Sequence, residues 1–274
     1  MKLDDKLWQK YERLKKIIES LEGVVIGFSG GVDSTFLLKA AHDVLGDKVL
    51  AVIATSQTYP QREIEDALKL AQELGVRFKL IETNELQDDN FRQNPPQRCY
   101  YCKKELFTKL KTIAQEKGFK WVLDGSNYDD LDDFRPGTKA RDELGVRSPL
   151  QEAKLTKKDI RLLSKYFGLP TWSKPSFACL ASRFPYYTPI DEEDLQRIGQ
   201  AEDFLRGLGF RQVRVRHHGF LARIEVLLEE IPRLVEQKEM VVKKFKALGY
   251  RYVTIDLEGY RSGSMNEVLE SLEF

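Results

Sequence analysis

Long apolar runs are absent from this chain of 274 residues, and none approaches the length that spans a bilayer. The start, Met1-Lys2-Leu3-Asp4-Asp5-Lys6, lacks the apolar stretch of a signal peptide, so a cytosolic setting is expected. An excess of one charge is also missing: 44 Lys and Arg stand against 43 Asp and Glu, a net charge of +1. That balance supplies no general field for nucleic acid and leaves only a local patch for the purpose. Cysteine is scarce, and three is an odd number. A disulfide framework is thereby excluded, and reduced thiols are expected. Neither an internal repeat nor a low-complexity segment occurs. What is present, 42% apolar and 32% charged residues, describes a soluble protein with one full core and a smaller second one.

The most informative segment is Val24-Val25-Ile26-Gly27-Phe28-Ser29-Gly30-Gly31-Val32-Asp33-Ser34. An apolar run of strand length feeds a Ser-Gly-Gly-x-Asp-Ser turn, and Phe36, Leu37, Leu38, Ala40, Ala41, Val44 and Leu45 continue it as a helix. Gly30 and Gly31 allow backbone conformations closed to other residues and a close approach to an anion. The free N–H groups and the dipole of the helix start favour negative charge there. Ser29 and Ser34 add hydroxyls, and Asp33 is placed to orient the loop or to hold Mg²⁺. A Walker A loop is excluded, because no lysine sits in the turn and Lys39 lies too far into the helix. A dinucleotide fingerprint is excluded as well. Its acid should end the next strand, which instead runs from Val49 to Ala54 and ends in Thr55-Ser56-Gln57.

Strand and helix alternate from there: helix 6–21, strand 24–28, helix 33–45, strand 49–54, helix 61–74, strand 76–81, helix 103–117 and strand 120–123. This pattern predicts an α/β fold, a parallel sheet with helices on both faces. Ligands then bind at the edge made by the strand C-terminal ends, where Asp124-Gly125-Ser126-Asn127 also falls. Residues 125–150 read as a long irregular stretch, with Asp129, Asp130, Asp132 and Asp133 as a solvated acidic loop. Helix 156–167 follows. The proline-bearing 184–189 marks a junction between a domain of residues 1–185 and one of residues 186–274. The second carries helix 191–207, strands 211–216 and 220–226, helix 230–248 and strand 250–256, a small α+β arrangement.

Cys99 and Cys102 form a C-x-x-C before a predicted helix, and Cys179 stands far downstream. Four readings compete: small buried residues, a redox couple that leaves Cys179 idle, zinc with His217 or His218 recruited, or an iron–sulfur cluster. Three thiolates on such a cluster leave one iron open to a non-protein ligand such as sulfide.

Ser-Gly-Gly-x-Asp-Ser is the signature of the PP-loop ATP pyrophosphatases, which the chain resembles. With it stand Asp124-Gly125-Ser126-Asn127, Arg135-Pro136-Gly137-x-Lys139-Ala140-Arg141, Cys179-Leu180-Ala181-Ser182-Arg183-Phe184-Pro185-Tyr186 and Val213-Arg214-Val215-Arg216. Together these segments make the chain similar to the LarE family, the ATP-dependent sulfur transferases of nickel-pincer cofactor synthesis. The resemblance runs from about residue 20 to Met265-Asn266. It implies that a carboxylate of pyridinium-3,5-biscarboxylic acid mononucleotide attacks ATP to give an acyl-adenylate, and that sulfur then displaces AMP. It implies Mg²⁺ with the ATP, with Asp33 as the candidate ligand, and a homo-oligomer, typically a hexamer. The candidate ATP-binding residues are Phe28, Ser29, Gly30, Gly31, Asp33, Ser34, Ala54, Asp124 and Gly125. Ser182, Arg214 and Arg216 match residues that bind the substrate phosphate, and Glu202 matches a carboxylate implicated in sulfur transfer.

One branch of the family consumes the sulfur of the cysteine at the position of Cys179 and has no equivalent of Cys99 and Cys102. Members with three cysteines resemble [4Fe–4S]-dependent thiolases. This chain has all three, which makes Cys99, Cys102 and Cys179 the expected cluster ligands and catalytic thiols; the sulfur donor is unspecified. Read without the resemblance, Arg214 and Arg216 share one face of a strand that is either a solvated face or an anion grip, and Glu202 fits a solvated helix face equally well. Three rival functions are a tRNA 2-thiolation enzyme, an ammonia-using NAD-synthetase-like enzyme and a nucleotide-sensing module. The first would need a basic RNA-binding surface, the second leaves the cysteines unexplained, and the third predicts ATP binding without pyrophosphate release.

Overall fold

The computed structural model describes residues 3–133, 135–175 and 178–270. By internal contacts the chain divides into two compact units, Met1–Glu85 with Gln97–Phe177, and Leu86–Pro96 with Ala178–Phe274. The sequence reading set a boundary after residue 185; the contacts begin the second unit at Ala178 and draw Leu86–Pro96 into it.

In the first unit, β1 (Val24–Gly27), β2 (Val49–Thr55), β3 (Phe78–Glu82) and β4 (Trp121–Leu123) form one sheet in the order β3-β2-β1-β4. Every neighbouring pair is parallel, with Gly27 opposite Val52, Ile26 opposite Leu123 and Thr55 opposite Glu82. All four strands therefore end on one edge. Successive side chains of a strand point to opposite faces, and two cores follow from that alternation. Val24, Ile26, Val49, Ala51 and Ile53 pack with the helices Asp5–Glu19, Val32–Leu45 and Gln61–Glu73. Val25, Leu50, Val52 and Val122 pack with the helix Arg98–Glu116. Both faces are covered, and this is why β1 and β2 read as unbroken apolar runs rather than alternating ones.

In this unit three stretches differ from the sequence reading. Strand 76–81 becomes Phe78–Glu82, an edge strand whose Leu80 is exposed. Helix 103–117 starts at Arg98, whose side chain is buried, so both cysteines fall within the first two turns of the helix rather than before it. Residues 125–150 carry structure: a turn Tyr128–Leu131 and the short helices Gly137–Glu143 and Pro149–Glu152. A parallel bridge from Leu123 to Arg147 also extends the sheet edge beyond β4. Asp130 is buried in a capping box with Asn127, so it is not part of a solvated loop.

The second unit holds a three-stranded sheet ordered β5-β6-β7, namely Arg214–His218, Leu221–Glu225 and Tyr252–Ile255. β5 and β6 are antiparallel through a turn at Gly219, whose φ of 64° is left-handed, and β6 and β7 are parallel. Predicted helix 230–248 breaks at Gln237 into Ile231–Glu236 and Lys238–Ala247. Within this unit, Asn94 donates to the carbonyl of Pro185 at 2.7 Å and accepts from Tyr187 N at 2.9 Å. Arg92 O accepts from Ile190 N at 2.9 Å, so Leu86–Pro96 clasps the proline-bearing segment.

Candidate functional site

The glycine turn behaves as an anion cradle should. Gly30 has φ 66°, and a methyl group on it would lie 3.0 Å from both Cα and Cβ of Ala67. Gly31 caps the helix Val32–Leu45 with extended backbone and no side-chain cap bond, which leaves that helix start to an outside acceptor. Ser29 Oγ lies 3.1 Å from Ser34 Oγ, and Ser34 Oγ lies 3.3 Å from the carbonyl of Gly31. Gly125 brings the end of β4 against this turn: a Cβ there would meet Ser34 N at 3.1 Å. Phe28 N donates to Val52 O at 2.9 Å and its ring lies in the core, so only its backbone belongs to the edge. Ala54 is partly exposed near the end of β2.

Asp124 is fixed by Ser126, whose Oγ donates to it at 2.7 Å, and by the hydroxyl of Ser148. Arg141 in turn donates to Ser148 Oγ at 3.2 Å and to Gln151 at 2.7 Å. Asp33 accepts from Lys157 Nζ at 2.5 Å and from the amide of Asn127 at 3.4 Å, both on Oδ2. Its other oxygen, Oδ1, is buried without a hydrogen-bond partner. A carboxylate oxygen in that position fits a hard cation, and Mg²⁺ bound largely through nucleotide phosphates needs only one or two protein carboxylates. Among the described residues no group of three or more His, Cys, Asp or Glu converges as a metal site.

Cys99 and Cys102, three residues apart on one helix, share a face. Cys99 is exposed; Cys102 is partly buried, with Sγ 3.6 Å from Oε1 of the buried Glu85. Cys179, in the second unit, precedes the turn Leu180–Arg183. Its carbonyl accepts from Ser182 N at 3.0 Å, Ser182 Oγ at 2.9 Å and Arg183 Nη1 at 3.0 Å. The donors are soft thiols, the ligand type that iron–sulfur clusters take. His217, a candidate zinc partner by sequence, is engaged inside the second unit. It lies 3.2 Å from Asp194 and 3.4 Å from the hydroxyl of Tyr250.

The second unit also contains a cluster of buried ions. Arg183 is fully buried and makes a two-point fork to Glu202 at 2.7 and 2.9 Å. Glu202, equally buried, also accepts from Arg206 at 2.9 Å and from Val215 N at 3.0 Å. Burial alone would raise its pKa, but the facing Arg183, with Arg206 and Arg214, brings it down to about 2. Arg216 forks to the buried Glu225 at 2.9 and 2.7 Å and donates to Ser182 O at 3.0 Å and Ser264 Oγ at 3.1 Å. Arg214 donates to Val213 O at 2.8 Å and lies over the ring of Tyr260 at 5.1 Å. Burial and the like charge of Arg183 lower its pKa to about 10. Three buried guanidinium groups thus face two buried carboxylates.

Of the two alternatives open for these residues, burial rules out the solvated one: Glu202, Arg214 and Arg216 are themselves buried, as are Val213 and Val215 on the opposite face of the strand. The strand also starts at Arg214 rather than 211. Arg183 and Glu225 were missed as charge partners, although Arg183 lies inside the Cys179–Tyr186 segment. Lys157 was missed because it stands 124 residues from Asp33.

Residues 9–111 match the NAD synthase family. Over nearly the whole chain the protein is similar to three relatives. An uncharacterized protein of Synechocystis sp. is 46% identical over 96% of this chain and 99% of its own length. The pyridinium-3,5-bisthiocarboxylic acid mononucleotide synthase of Lactiplantibacillus plantarum is 42% identical over 95% of each. An uncharacterized protein of Methanocaldococcus jannaschii is 32% identical over 96% of this chain and 97% of its own. A phosphate loop of this shape, carried in a chain with such full-length likeness, makes the protein a member of the LarE family of PP-loop enzymes.

Proposed function

We propose that the protein is an ATP-dependent sulfur transferase acting on the carboxylates of pyridinium-3,5-biscarboxylic acid mononucleotide. The observation that carries this reading is the 42% identity to the L. plantarum synthase over 95% of both chains. The Gly30-Gly31 turn and the helix start hold the β- and γ-phosphates, with Ser29 and Ser34 as hydroxyl donors. Asp33 holds Mg²⁺, while the edge at Phe28, Ala54, Asp124 and Gly125 receives the nucleotide. A substrate carboxylate oxygen bonds to the α-phosphorus as the bond to pyrophosphate breaks. Sulfur then adds to the acyl carbon, and AMP leaves with the C–O electron pair, giving a thiocarboxylate.

Ser182, Arg214 and Arg216 grip the substrate phosphate. The lowered pKa of Arg214, caused first by burial and then by the like charge of Arg183, supports this, because a neighbouring anion would offset both. Glu202, held near pKa 2, takes up no proton at neutral pH; it acts by fixing Arg183 and Arg206. Cys99, Cys102 and Cys179 supply the thiolates for a [4Fe–4S] cluster, whose open iron can present sulfide from a donor outside the chain. The protein works as a homo-oligomer.

Anaerobically purified protein should carry about four irons per chain with acid-labile sulfide. Changing Cys99, Cys102 or Cys179 should remove them. With ATP, Mg²⁺ and the dicarboxylate it should release AMP and pyrophosphate over many turnovers. Single-turnover product with dehydroalanine at position 179 would instead make Cys179 the consumed sulfur source. No pyrophosphate release would overturn the reaction itself.

A further inference from the structure

Lys157 opens the helix Lys157–Tyr166, and its two ends are held differently. The backbone N–H donates to Asp129 Oδ2 at 2.8 Å, which fixes the residue in place. The ammonium reaches Asp33 Oδ2 at 2.5 Å on a flexible stem, with 36% of the side chain exposed. Asp33 sits in the first turn of the phosphate-loop helix and has one oxygen buried without a partner. An ammonium on a single oxygen leaves that second oxygen unsatisfied, a costly arrangement for a buried acceptor. A divalent cation brings twice the charge and can bind carboxylate oxygens in one- or two-point fashion. Ammonium and divalent cation on the same carboxylate would repel one another at contact distance. A lysine head is strongly hydrated and its stem rotates freely, so it can give way while its backbone stays put.

We propose that Lys157 is a built-in competitor for the divalent cation at Asp33. The Mg²⁺ that accompanies ATP must displace the ammonium, and the strength of the Asp33–Lys157 pair therefore sets the cation affinity of the nucleotide site. Lys157 is a positioning residue that acts through Asp33. The inference rests on the ATP-binding reading of the phosphate loop. A merely architectural tie between the helices Val32–Leu45 and Lys157–Tyr166 makes the opposite prediction: its removal loosens the loop and weakens cation binding, or leaves it unaltered.

The test is Mn²⁺ binding, read by electron paramagnetic resonance, to the full chain saturated with α,β-methylene-ATP. Lys157→Met should bind Mn²⁺ about fivefold more tightly than the unaltered protein. Lys157→Arg, which keeps a cation on Asp33, should stay within about twofold of it. Asp33→Asn should weaken binding by about tenfold or more, and adding Lys157→Met to it should give no gain. Lys157→Met binding equally or more weakly, with a cooperative thermal transition retained, would overturn the inference. If Lys157→Met does not fold, Lys157→Gln is judged by the same sign. Should the unaltered protein bind the analogue while neither variant tightens Mn²⁺, only this inference falls. Failure of the unaltered protein to bind the analogue at all removes the ATP reading with it.

Discussion

The phosphate loop of the first unit and the ion cluster of the second handle charge by opposite means. The loop uses backbone: two glycines, a helix start and two hydroxyls, with its one carboxylate neutralised by Lys157. The cluster uses formal charge taken out of water, with Arg183, Glu202 and Glu225 fully buried. Backbone dipoles need little desolvation and tolerate solvent, whereas buried ions stand only while every partner is present. The loop should therefore fail by shape and the cluster by charge.

The largest effect should come from breaking the cluster. Glu202→Gln leaves Arg183 buried opposite a neutral amide and should lower stability by about 3–5 kcal/mol in urea unfolding. Combining it with Arg183→Met should restore part of that loss; equal losses in the single and double variants would show that the charge is not what matters. Acid should act on the same pair. The folded pKa of Glu202, about 2, lies below its ordinary 4.5, so its stabilisation is complete above about pH 5 and is lost as pH falls toward 2. The contribution at stake is about 3 kcal/mol, and the Glu202→Gln variant should show a correspondingly flatter acid limb.

In the loop, Gly30→Ala should lower stability by about 1–3 kcal/mol, because φ 66° and the contact with Ala67 both oppose a methyl group. It should also abolish ATP binding in calorimetry while iron content stays unchanged. A Gly30→Ala protein that binds ATP normally would remove the loop from the site. The smallest effect is expected at Arg214. Its charged form is already disfavoured, so Arg214→Met should change stability by no more than about 1 kcal/mol. The same change should eliminate any rise in melting temperature given by inorganic phosphate. A large loss of stability would make Arg214 structural rather than a ligand grip.

The two regions were also unequally legible. Ser29 to Ser34 lie in one contiguous motif, and β1 and the helix after it were readable from unbroken and helical apolar periods. Gly125 could be placed on the same edge because parallel strands end together. The helix start at Arg98 and the structured 125–150 were less legible. The first depends on burying an arginine and the second on short caps such as Asn127–Asp130, local signals that a search for long periods passes over.

The sequence alone determined the order of strands and helices, the phosphate turn and the family, because each rests on neighbours along the chain. Tertiary structure decided which charges meet, Arg183 with Glu202, Arg216 with Glu225 and Lys157 with Asp33, and which neutral polar groups meet, such as Asn94 with the carbonyl of Pro185. Burial and ion pairing depend on residues distant in sequence, and a side chain's charge does not reveal whether water or another ion will face it.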